Sequence, residues 1–171
     1  MGKACAVSQT VLVVDDERNN REILRDILQD EGYKVVLAED GRDGLRKSTL
    51  GVAVILMDVI MPQMDGLTTC RRLNASADTR DIPVLFLSAC PEEQILQAAY
   101  KAGAYDFLHK PVRASELRAK LDAATQLESH WTPQERRSRY QQLVRRAATQ
   151  QAVEEANANS VLDQAVLSEM A

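Results

Sequence analysis

The sequence is short of the features that mark secreted, membrane-spanning or nucleic-acid-coating chains. Its 171 residues include 3 cysteines, Cys5, Cys70 and Cys90. They are odd in number and show no C-x-x-C pattern, which argues against a disulfide framework or a zinc site and predicts reduced cytosolic thiols. There is no basic excess either: 21 Lys and Arg stand against 25 Asp and Glu, a net charge of -4. Neither nucleic acid nor an anionic membrane surface therefore finds a general footprint. No apolar run approaches the roughly 18 to 20 residues of a transmembrane helix, and Met1 to Ser8 lacks the apolar core of a signal peptide. These absences predict a cytoplasmic chain with no membrane partner and no direct nucleic-acid partner. The length allows one ordinary domain plus an appendage.

What the chain does have is a set of short apolar runs that each stop on polar chemistry. Val11 to Val14 ends at Asp15 and Asp16; Val52 to Met57 ends at Asp58; Val84 to Leu87 ends at Ser88; Phe107 to His109 ends at Lys110. If these are parallel strands with helical crossovers, their carboxyl ends share one edge of a sheet, the edge where open α/β folds bind ligands. Three carboxylates, a hydroxyl and an ammonium then converge.

The segments between the runs have helical periodicity and short connections, which predicts a doubly wound α/β domain. Strands are expected at Thr10 to Val14, Lys34 to Ala38, the run ending at Asp58, the run after Pro83, and Tyr105 to His109. Helices are expected from about Arg18 to Glu31, with Ile23, Leu24, Ile27 and Leu28 as the apolar stripe and Gly32 past its end. Others run over Gly41 to Thr49 with Leu45 as the clearest buried residue, Gly66 to Leu73, and Glu92 to Ala102 with Gly103 as its stop. A fifth carries Leu117, Leu121 and Ala124.

Clustered carboxylates repel one another unless they are protonated, well solvated or bridged by a cation. A hard divalent ion such as Mg²⁺, which takes a few carboxylate oxygens and leaves positions for phosphate, suits Asp15, Asp16 and Asp58 better than zinc or copper does. An aspartate beside Mg²⁺ and a lysine can attack a phosphoryl group, because both cations neutralise charge on the transferred oxygens. Asp58 would become the aspartyl phosphate, with Ser88 donating to the new oxygens and Lys110 pairing with them.

Four stretches carry a family resemblance: Val11-Leu-Val-Val-Asp-Asp-Glu17, Met57-Asp-Val-Ile-Met-Pro-Gln-Met-Asp-Gly66, Pro83-Val-Leu-Phe-Leu-Ser-Ala89 and Ala102-Gly-Ala-Tyr-Asp-Phe-Leu-His-Lys-Pro111. With them, residues 10 to 128 resemble the receiver domain of bacterial two-component response regulators. The resemblance implies a flavodoxin-like, five-stranded parallel sheet in the order 2-1-3-4-5 with helices on both faces. It implies that Asp58 accepts phosphate from a histidine kinase or phosphotransfer protein. Mg²⁺ would be held by Asp15, Asp16, Asp58 and the backbone carbonyl of Ile60. Ser88 and Phe107 would be the switch pair, and Lys110-Pro111 a cis peptide bond. Serine stands at 88 where threonine is commoner. Ile60 and Cys90 fall where such domains often carry polar groups that influence loss of the phosphate, and neither strongly orients water, so a long-lived phosphate is expected. For Ile60, simple packing against its loop is the competing expectation.

Composition changes near Ser129. Thr132-Pro133-Gln134-Glu135 is a capping box with proline at the first helical position, which predicts a new helix. Arginines 136, 137, 139, 145 and 146 make its first part basic; Glu154, Glu155, Asp163 and Glu169 make its later part acidic. Its apolar positions are too sparse for an independent core, so it needs a partner. The expected organisation is a tail over 1–9, a receiver domain over 10–128, and a helical extension over 129–171 that dimerises or links. Leu167-Ser-Glu-Met-Ala171 resembles the approach to the phosphoacceptor histidine of histidine kinases, which makes a truncated sensor or hybrid kinase an alternative. The enzymatic rival is a phosphatase of the haloacid dehalogenase type. That family wants a second aspartate two residues after its nucleophile, where Ile60 stands here. The receiver reading predicts no enzyme beyond the domain's own phosphorylation and dephosphorylation.

Overall fold

The computed structural model describes residues 9–89 and 93–126. Five strands and five helices alternate along the chain. They are β1 (Thr10–Val14), α1 (Arg18–Asp30), β2 (Lys34–Ala38), α2 (Gly41–Lys47), β3 (Val54–Asp58), α3 (Gly66–Ala75), β4 (Val84–Ser88), α4 (Glu93–Ala102), β5 (Asp106–His109) and α5 (Ala114–Gln126). All neighbouring strands pair in parallel, in the order β2-β1-β3-β4-β5. This is the doubly wound sheet that the sequence predicts.

A parallel sheet covered on both faces has strands that are apolar throughout, because both sets of alternating side chains are buried. One set, with Leu12, Val14, Ile55, Met57, Val84 and Phe86, packs with Cys70 and Leu73 of α3 and Ala99 and Ala102 of α4, with Leu45 of α2 partly buried against it. The other, with Val11, Val13, Val54, Leu56, Leu85 and Leu87, packs with Leu24 and Leu28 of α1 and Leu117 and Leu121 of α5. Helices α2, α3 and α4 thus cover one face, and α1 and α5 the other. The two layers clamp the strands and leave their carboxyl ends to carry the chemistry.

Local signals set the element ends. Asp40 and Asp65 cap α2 and α3, their side chains accepting from the Asp43 and Thr68 amides at 2.7 and 2.6 Å, each satisfying one of the amides that a helix start leaves unpaired. Gly32 and Gly103 have φ of 90° and 98°, the left-handed stops expected after α1 and α4. Helix α1 ends one residue early, and α2 stops at Lys47 before a turn, so Ser48 and Thr49 lie past it.

Two burial expectations need correction. Ile23 is 59% exposed, because its direction on the helix lies about 100° from Leu24 and outside the arc of Leu24, Ile27 and Leu28. In α2 the fully buried residues are Gly41 and Gly44; the helix sits so close to β1 that a Cβ on Gly44 would lie 3.0 Å from a methyl of Val14, and Leu45 is only partly covered.

Cys70 is a buried thiol outside any disulfide, and its Sγ donates to the Ala102 carbonyl at 3.4 Å. Among the described residues no helix is long and apolar enough to cross a membrane. Cys5, Cys90, the capping box at Thr132, the arginine cluster and the extension over 129–171 lie outside the described residues.

Candidate functional site

Asp15 follows β1 directly and its carboxylate is wholly buried. Burying a carboxylate is costly unless its oxygens are taken by donors, and here they are. Oδ1 accepts from the Glu17 amide at 2.9 Å, the Asn20 amide nitrogen lies 3.3 Å from both oxygens, and the Lys110 ammonium donates to Oδ2 at 2.8 Å. Asp16, the next residue, is exposed.

Asp58 is the last residue of β3, with a side chain 15% exposed. Its Oδ1 accepts from the Ile60 amide at 3.0 Å, and its Oδ2 is bonded by Lys110. The backbone here is fixed by close packing. Gly66, which opens α3, donates its amide to the Val59 carbonyl at 3.0 Å. A Cβ on Gly66 would lie 2.1 Å from the Asp58 carbonyl oxygen and 2.9 Å from the ring of Phe86, so only glycine fits.

Lys110 reaches both acids from the end of β5, where its amide donates to the Ser88 carbonyl at 2.8 Å and its bond to Pro111 is cis. Burial works against its ammonium, but the hydrogen bonds and charges of Asp15 and Asp58 outweigh it and raise the lysine above its ordinary value. Burial pushes the Asp58 carboxyl up; the hydrogen bonds from Lys110 and the Ile60 amide only partly offset this, and the charge of Asp15 adds to it. The two directions look opposed for one ion pair. They agree once the partners are counted, since Lys110 serves two carboxylates while Asp58 has one ammonium and a like charge nearby.

One oxygen from each of Asp15, Asp16 and Asp58 falls within 4.8 Å of the others. Three hard oxygen donors, one of them solvent-facing, fit a small divalent cation that keeps some of its water. Ser88 is buried at the end of β4, one residue beyond the register partner of Asp58, and pairs with His109. Register places Phe107 beside Phe86 on the same face as Ser88. The Phe107 ring centroid lies 5.8 Å from that of Phe86 and 5.4 Å from that of Tyr100, edge-on to the latter. Ile60 is 75% exposed, so it does not pack against its loop.

The structure thus brings Asp15, Asp16, Asp58 and Lys110 together, with Ser88 at the adjacent strand end. It adds residues that sequence reasoning passed over: Asn20 and Arg21 at the start of α1, Gly66, and the aromatic neighbours Phe86 and Tyr100. The signal for Asn20 was its offset, five residues past Asp15, which puts it in the opening turn of the helix that follows the acids.

Residues 11–122 match the response regulator receiver domain family. Among curated relatives, the response regulator MprA of Mycolicibacterium vanbaalenii is 45% identical over 115 residues, covering 66% of this chain and 48% of the relative. The cyclic di-GMP phosphodiesterase response regulator RpfG of Xanthomonas campestris is 40% identical over 120 residues, covering 68% of this chain and 32% of its own. The chain therefore spans about half the length of the first and a third of the second. Among solved structures, the chemotaxis protein CheY4 of Vibrio cholerae superposes with a TM-score of 0.66 at 31% identity, covering 69% of this chain and 99% of that one. The receiver domain of a sensor histidine kinase from Pseudomonas aeruginosa, solved with a magnesium ion coordinated in its active site cleft, gives 0.65 at 29%, covering 70% and 98%.

Proposed function

Because the chain belongs to the response regulator receiver domain family, we propose that Asp58 is its phosphoacceptor, with a histidine kinase or phosphotransfer protein as donor. The observation that carries this reading is the setting of Asp58: a largely buried carboxylate at a strand end, bonded by Lys110 and the Ile60 amide and grouped with Asp15 and Asp16. In the transfer, an Asp58 carboxylate oxygen forms the bond to phosphorus as the bond from phosphorus to the donor's imidazole nitrogen breaks. The electron pair leaves with that nitrogen, which is then protonated.

Asp15, Asp16, Asp58 and the backbone carbonyl of Ile60 would hold Mg²⁺. When bound, the ion neutralises charge on the transferred phosphoryl oxygens. Lys110 would supply a second positive charge, and the Ile60 amide orients Asp58. Ser88 would donate to the phosphoryl group. Its inward movement would vacate space for Phe107, whose ring packs against Phe86 and Tyr100, and so alter the surface of α4, β5 and α5. The exposed Ile60 side chain offers no group to orient an attacking water, which supports a long phosphate lifetime and leaves the phosphatase alternative without its second acid. Residues 10–128 would form the receiver, after a tail over 1–9. The extension over 129–171 would be the output element, pairing with a second copy or leading into a kinase.

Acetyl phosphate or beryllofluoride treatment followed by mass spectrometry tests the central claim. One adduct that requires Mg²⁺ and maps to Asp58 is expected. Equal modification of Asp58→Ala would refute the assignment.

A further inference from the structure

We propose that Arg21 is a positioning residue for the acidic edge, fixing the backbone of Asp15 and Asp16 in the pitch that a divalent cation requires. One terminal nitrogen of its guanidinium, Nη1, donates to the Asp15 carbonyl at 2.6 Å and to the Asp16 carbonyl at 3.0 Å. Such a nitrogen carries two hydrogens, so both bonds form without sharing one. Two consecutive carbonyls held from one point fix the peptide plane between them and the one that follows, and so the torsions that aim the Asp16 side chain.

That backbone matters more for Asp16 than for Asp15. The Asp15 carboxylate is oriented directly by the Glu17 amide, Asn20 and Lys110. Among the described residues no hydrogen bond to the Asp16 carboxylate is present, so its direction follows from its main chain, and its main chain is held by Arg21. The guanidinium also forms no ion pair with a carboxylate among the described residues, although three acids lie nearby. It spends its donors on neutral carbonyls. An arginine acting through its charge alone would repel a divalent cation and weaken its binding; one acting through geometry strengthens it. The two roles give opposite signs.

This inference rests on the Mg²⁺ reading above, and the experiment separates the two. Mg²⁺ titrated calorimetrically into the full chain gives the dissociation constants of the wild type, Arg21→Ala, Arg21→Lys, Arg18→Ala and Asp16→Asn, with thermal midpoints measured alongside. Arg18 is the charge control: it lies in the same helical turn but pairs with Glu22 at 2.9 Å rather than with the acidic pair. Arg21→Ala should weaken Mg²⁺ binding about tenfold, the lower end of effects seen for groups that orient metal ligands. Arg21→Lys should recover part of that loss, and Arg18→Ala should stay within about twofold of the wild type. Equal or tighter binding by Arg21→Ala overturns the inference while leaving the metal site standing. A wild type that binds no Mg²⁺ overturns both. If Arg21→Ala fails to fold, Arg21→Lys decides: a folded variant with weakened affinity supports the role, and one with wild-type affinity removes it.

Discussion

The strand ends that present the two groups of acids are built differently. At the end of β3, the backbone of Asp58 is fixed by close packing against α3, the Asp58 carbonyl and the ring of Phe86 leaving no room for a side chain on Gly66. At the end of β1, the backbone of Asp15 and Asp16 is tied by hydrogen bonds from a partly buried arginine. The phosphoacceptor candidate thus sits on a part of the fold that cannot be adjusted without rebuilding it. Asp15 and Asp16 sit on a part that point changes can loosen. The difference teaches that two strand ends feeding one acidic cluster can differ in how far a point change can move them.

The steepest test of that contrast is Gly66→Ala. A methyl placed 2.1 Å from a backbone oxygen must displace either α3 or the end of β3, and the variant should lose about 3 kcal/mol or more in urea unfolding, at or above the upper end of overpacking costs. A loss under about 1 kcal/mol would mean that this end also yields.

At the β1 end, Asp16→Asn should change sign with conditions. Without metal it removes a carboxylate grouped with two others and should stabilise the fold by about 0.5 to 1 kcal/mol, of the order of the Coulomb energy between unit charges ~4 Å apart in water. With Mg²⁺ at ten times its dissociation constant, the wild type should gain about 1.4 kcal/mol and overtake the variant. Parallel denaturation curves with and without Mg²⁺ check this, and a variant that stays ahead in both would break the assignment of Asp16 to the metal.

Helix α2 supplies an ordinary charge cluster for scale, and the smallest effect. Burial pushes the Asp43 carboxyl up, but hydrogen bonds and charge from Lys47, at 2.6 Å, and from Arg46 outweigh it and hold the carboxyl below its usual range. A depressed acid contributes stability above its unfolded value, and that contribution is lost as pH falls from about 4 through the folded value. Asp43→Asn should therefore be slightly less stable than the wild type at neutral pH, with the gap closing in that acid window. A gap independent of pH would show that the ion pairs contribute nothing.

The sheet and most of the site were legible because each strand is an apolar run that ends on the residue it delivers. Asp58, Ser88 and Lys110 could be placed at one edge from those endings alone. Ile23 was misplaced because an apolar residue at the rim of a helical stripe looks like its neighbours in sequence, and only the packing of α1 on the sheet decides which side of the rim it takes. Arg21 was illegible for another reason. Its partners are main-chain carbonyls, which every residue carries, so no pattern of side chains points to it. Gly66 could be read as a helix start but not as a close approach, since the atoms it meets, the Asp58 carbonyl and Phe86, come from other strand positions.

Lys110 lies between two of the three carboxylates, so with all groups ionised the site holds a charge of about -2, which one divalent ion balances. On the proposed reading, a phosphoryl group that arrives with about -2 consumes the single charge of the carboxylate it joins. The balanced site then has a surplus of about one electron charge, and among the described residues no cation besides Lys110 is paired with its carboxylates to absorb it. That surplus sets the scale of the signal: neutral dipoles such as the Ser88 hydroxyl must turn to meet it, and the work available to reshape the far face is limited to what one elementary charge can do.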